Sequence, residues 1–119
     1  FEFHADEPHM LAGKDQAANP VEHLISALAE CVTTSMVAHA AARNINIHQL
    51  KSHIEGEIDL NGFLGLNPAT PRNYTNIKIN FKVEPDTKKK KKLKQLAAYS
   101  PVYNTLTNGT NIDINIEKI

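Results

Sequence analysis

NPVEHLISALAECVTTSMVAHAAARN, residues 19–44, opens with the punctuation of a helix start. Asn19 is an N-cap residue, Pro20 suits the first helical position, and Glu22 stands where a capping box needs a carboxylate. The apolar residues that follow fall at 21, 24, 25, 28, 32 and 36, and also at 27, 31, 38 and 41. That is wider than the single stripe one sheet can cover. At 1.5 Å per residue the helix would run about 36 Å, roughly the diameter of a globule of this length. A helix that long, apolar on most sides, needs a second surface, and a homodimer is the economical source of one.

Around it the rhythm changes from helical to alternating. Phe1, Phe3 and Ala5 alternate with Glu2, His4 and Asp6. Leu50, Ser52, Ile54, Gly56, Ile58 and Leu60 alternate with polar residues, as do Ile77, Ile79, Phe81 and Val83, and finally Ile112, Ile114 and Ile116. Period 2 with one polar face means an antiparallel sheet covered on one side. A second helix is expected over DTKKKKKLKQLAAYS (86–100), capped by Asp86 and burying Leu93, Leu96 and Ala97. Between the middle strands the loop NGFLGLNPATPRNY (61–74) carries Phe63, Leu64 and Leu66, which should be at least partly covered, by the partner or by the subunit's own helices. The expectation is an α+β fold: an antiparallel sheet with two main helices, one long and central, in an intertwined homodimer. The opening FEFHAD is already in strand rhythm, so residues 1–119 are expected to be one domain lacking its N-terminal strands.

Composition excludes several classes. Thirteen basic side chains balance thirteen acidic ones, so no strong field points to nucleic acid or an anionic membrane. One cysteine cannot form an internal disulfide and suits a reducing cytoplasm. No uninterrupted run approaches the 18 apolar residues of a spanning helix. The lysine run 88–92 has no interleaved aromatics and reads as a solvated helix face. His4, His9, His23, His39, His48 and His53 show no spacing that converges on one ion, so no metal is expected.

Three residues could carry chemistry. Glu22 could be a catalytic carboxylate, although the capping box explains it. Ser100 could be a nucleophile, but before Pro101 it reads as the cap of a short helix, with no base in sight. Cys31 is the serious candidate. An activated thiol needs a helix N-terminus or a nearby cation. Cys31 lies about eleven residues into its helix, beyond the reach of the dipole, among Ala27, Leu28, Glu30, Thr34 and Ser35. From these residues alone it reads as structural.

The long helix, EGEIDLNGFLGL (55–66) and SPVYNTLTNGT (100–110) together resemble the OsmC/Ohr family of osmotically inducible and organic-hydroperoxide-resistance proteins. The likeness is closest to OsmC-like members with a GFLGL loop and a single cysteine. It implies a bacterial cytoplasmic homodimer, two long central helices wrapped by sheets from both subunits, and no cofactor. It also implies a peroxidatic cysteine on the central helix, at Cys31, eleven residues after the family's Pro20. Departures accompany it. Val21 stands where the peroxidases carry glutamate, with Glu22 offset by one. Ser100 replaces the resolving cysteine. The family's N-terminal hairpin carries the activating arginine; here Arg43 and Arg72 both follow the cysteine, so an activating arginine, if the protein has one, would lie in the missing N-terminal part.

Two functions are therefore expected to compete. One is a one-cysteine organic hydroperoxide reductase, restored by an external thiol. The other is a non-enzymatic dimer that binds a small apolar molecule between its central helices.

Overall fold

A computed structural model of the chain describes residues 1–85 and 88–119. Its spine is helix α1, Pro20–Ala42, begun by the expected capping box and ended at Arg43. Strands β1 (Gln49–Glu57) and β2 (Asn76–Glu84) form an antiparallel hairpin. Between them runs a long loop that holds the single-turn helix α2, Leu60–Phe63. After β2 come α3 (Lys90–Leu96), a 3-10 turn (Ala97–Tyr99) and α4 (Pro101–Asn108). This is an α+β architecture.

The register explains the hairpin's inner face. Leu50 pairs with Val83, Ser52 with Phe81, Ile54 with Ile79 and Gly56 with Ile77, so the apolar set of both strands points the same way. That face meets α1 across Leu28, Val32, Met36 and Ala40, while Leu93 and Leu96 of α3 close the core from the side. Leu96 is 1% exposed. Leu93 and Leu96 thus form the buried edge expected of them, while Ala97 is only half-buried.

By length and composition α1 could cross a membrane, although no uninterrupted apolar run signals it in the sequence. In this fold one flank of it packs in the core.

Several expectations need correction. Phe1–Ala5 and Ile112–Ile116 carry strand rhythm but join no sheet. A strand forms only where a ladder partner satisfies its backbone, and within the chain the hairpin reaches neither segment. β1 ends at Glu57, before Ile58 and Leu60, because the Asp59 side chain accepts from the Asn61 amide at 2.9 Å and starts α2. The second main helix is also shorter than expected: α3 spans seven residues before the 3-10 turn. Its expected cap, Asp86, lies outside the described residues. Phe63, Leu64 and Leu66 are 65%, 53% and 70% exposed, so the chain's own helices do not cover them.

The chain is markedly open. Its accessible surface is 9595 Å², whereas a closed monomer of 13.2 kDa would expose about 6,400 Å². Its radius of gyration is 17.7 Å, against about 13.5 Å for a compact chain of this length.

Candidate functional site

Cys31 sits midway along α1 as a free, half-buried thiol. One flank is the packed face, through Leu28, Val32 and Ser35; the other is the open face, through Ala27, Thr34 and Ala38. The Ser35 hydroxyl donates to the Cys31 carbonyl at 2.9 Å, which satisfies a buried hydroxyl within its own helix. The start of α1 is about 16 Å away along the axis.

Glu22 lies at that start and is committed to the cap. The Asn19 amide donates to Glu22 Oε2 at 3.0 Å, and the Glu22 amide donates to Asn19 Oδ1 at 2.9 Å. Ser100 has the same kind of role for α4. Fully buried, it accepts from the Tyr103 amide at 3.1 Å. Asn104 Nδ2 donates to the Ser100 carbonyl at 2.8 Å and to that of Ala98 at 2.7 Å, which ties the turn together. Ser100 is thus a structural cap in this fold.

Neither arginine is joined to Cys31 by a hydrogen bond among the described residues. Arg43 Nη1 donates to the His39 carbonyl at 3.0 Å and approaches His39 Nδ1 at 3.2 Å. The imidazole stacks on Tyr99 with centroids 3.9 Å apart, and the guanidinium lies 5.7 Å from the same ring's centre. Arg72 is at the other end of α1. With Leu11, Val21, Leu60 and Phe63 it borders a pocket of about 400 Å³.

The other histidines are dispersed. His23 Nε2 meets the His4 carbonyl at 2.9 Å, His9 Nδ1 the Gly13 carbonyl at 3.1 Å, His48 bonds Asn46 at 2.9 Å, and His53 faces Glu55 at 3.7 Å. Among the described residues no three potential ligands converge.

Two anchors escape a reading of the sequence. The Tyr74 hydroxyl donates to the Val21 carbonyl, binding the hairpin loop to the first turn of α1. Gly56 permits it: a Cβ there would lie 2.5 Å from the tyrosine ring. A glycine inside a strand pattern is the signal that announces such an approach. Burial, and then the charge of Glu22, push the Tyr74 phenol above its ordinary pKa. In the same loop Gly62 packs against the Pro71 carbonyl, leaving no room for a side chain. The second anchor is Asp6, whose carboxylate accepts from the amides of Glu7, Lys14 and Gln16 at 2.8, 3.1 and 3.1 Å. Those bonds, foremost that from Gln16, lower its pKa.

The sequence model described as OsmC-like protein matches residues 13–115. Among curated proteins no sequence matches. Three solved structures share the architecture. One, named as an osmotic stress induced and detoxification response protein of Psychrobacter arcticus 273-4, has a TM-score of 0.69 at 23% identity, covering 85% of this chain and 69% of that one. An OsmC like protein from Mycoplasma pneumoniae gives 0.67 at 20% identity over 93% and 77%. An organic hydroperoxide resistance protein OsmC from Legionella pneumophila gives 0.62 at 16% over 87% and 72%. At these identities the likeness is one of fold.

Proposed function

The chain belongs to the OsmC-like protein family, and from that premise we propose that it is a one-cysteine thiol reductase of organic hydroperoxides, acting as a homodimer. The observation that carries the reading is Cys31 itself: a free, half-buried thiol on the central helix. Its thiolate would attack the terminal peroxide oxygen and break the O–O bond. The alcohol leaves with a proton, and Cys31 becomes a sulfenic acid. With a buried serine at position 100, no second cysteine of the chain closes a disulfide. An external thiol would condense with the sulfenic acid, releasing water and forming a mixed disulfide. A second external thiol then displaces the first and restores Cys31.

The dimer is supported by the surface. The excess over a closed monomer is about 3,200 Å² per chain, more than the roughly 1,000 Å² per partner at which permanent interfaces begin. The open stripe of α1 (Leu24, Ala27, Thr34, Ala38 and Ala41) offers small side chains that let a second helix approach.

The test is oxidation of Cys31 by cumene hydroperoxide, followed by mass spectrometry, with turnover measured against a dithiol. We expect sulfenic acid at Cys31, and complete loss of turnover in Cys31→Ser with an unchanged melting temperature. Turnover that survives the substitution would sink the proposal. The commitment of Arg43 to His39 and Tyr99 favours a second reading, the non-enzymatic dimer with a small apolar ligand between its central helices. A thiol inert to hydroperoxide in the dimer would select it.

A further inference from the structure

A cleft of about 430 Å³ lies between α1, the hairpin and α3. Its walls are apolar: Val32 and Met36 from α1, Ile79 and Phe81 from β2, and Leu93 from α3. Its volume is that of a small-molecule site. Ile79 and Phe81 belong to the sheet's inner face yet stay only half-buried, so the core leaves this space unfilled where interiors ordinarily pack densely.

The edge of the cleft is cationic. Lys90 and Lys94, one turn apart on α3, both border it, and among the described residues no acidic side chain lines it. They belong to a cluster of six lysines, Lys88–Lys92 and Lys94, which the family assignment leaves without a role. No ion pair among the described residues holds Lys94. Lysine stems lie readily along apolar walls while the ammonium reaches the rim. A cation beside a low-dielectric cleft attracts an anion more strongly than one in open water.

We propose that this cleft binds a free single-chain amphiphilic carboxylate, with the alkyl chain between α1 and the sheet and the head group at Lys90 and Lys94. Charge complementarity selects the carboxylate over a neutral apolar ligand. The walls come from the packed side of α1, away from the open stripe that carries Ala27 and Ala38. The site therefore lies apart from the stripe proposed for self-association, and Cys31 does not line it.

The probe is decanoate, compared with decanol, titrated below micelle formation and read by methyl NMR of the full chain. Decanoate should shift Met36 and Leu93, and bind about tenfold more tightly than decanol in about 20 mM salt. That preference should shrink as screening rises towards about 0.5 M. The exposed pair Lys90→Gln with Lys94→Gln should remove the preference but keep decanol binding. Ala97→Leu should block both ligands by filling the cleft; were it to unfold, the lysine pair still decides. Equal affinities, an unchanged preference in the lysine variant, or shifts centred on Ala27 and Ala38 would each overturn the proposal. Loss of decanoate binding as dimer forms would assign the cleft to the second copy, and overturn it too.

Discussion

On one side of α1, Leu28, Val32, Met36 and Ala40 are each 5% exposed or less, held beneath the hairpin and against α3. On the other side, Leu24, Ala27, Thr34, Ala38 and Ala41 stand open, though they are nearly as apolar. The two sides differ mainly in what covers them: the hairpin and α3 lie on the first. The second, with Ala27, Thr34, Ala38 and Ala41 beside Leu24, would let another helix axis come as near as about 8 Å. Cys31 sits on the seam between them, small enough for either.

The sharpest way to break this contrast is to damage the packed side. Leu96→Ala removes a side chain that is 1% exposed and should cost about 2–5 kcal/mol, measured by urea unfolding. A cost below about 1 kcal/mol would mean the packed side is not the core. The open side should tolerate change in the subunit and fail in assembly. Ala38→Glu places a charge in the proposed interface and should weaken the dimer by about 3 kcal/mol, roughly two powers of ten in dissociation constant. Sedimentation equilibrium reads this directly, and an unaltered dimer would move the interface elsewhere.

A smaller effect concerns the buried serine that caps α4. Ser100→Ala removes the cap of α4 and should cost about 1 kcal/mol while leaving hydroperoxide turnover unchanged. Loss of turnover in a stable variant would reveal a catalytic hydroxyl. The smallest effect should come from Asp6, which lies outside both sides of α1. Its pKa is depressed in the fold, so its contribution is present above the ordinary carboxylate value and is lost as pH falls through the lowered one. The Glu7, Lys14 and Gln16 amide resonances should hold steady from pH 7 to about 4 and move below that. Asp6→Asn should flatten this pH response.

The elements that proved legible were those whose partners are close in the chain. Asn19 and Glu22 cap α1, and Ser100 with Pro101 opens α4, as the residue types require, because a cap is satisfied within a few residues of itself. The hairpin's inner face followed from period 2, since β1 and β2 are joined directly and each supplies the other's ladder. The same period at Phe1–Ala5 and Ile112–Ile116 misled, because alternation specifies a strand's faces but supplies no partner. Tyr74 on Val21 was hidden for a related reason: the two are far apart in the chain, and only Gly56 hinted at the approach.

By itself, then, the sequence determined where α1 and α4 begin, which hairpin face is apolar, and that the only thiol lies deep in the long helix without a second cysteine to answer it. Only the tertiary structure decided that one flank of α1 is sealed while the other stays open. It likewise decided that Arg43 is turned to Tyr99, and that two lysines of an apparently solvated run border an apolar cleft. Local hydrogen bonds and side-chain period are written residue by residue. Which surfaces meet depends on burying area between elements distant in the chain, a sum that no local stretch contains.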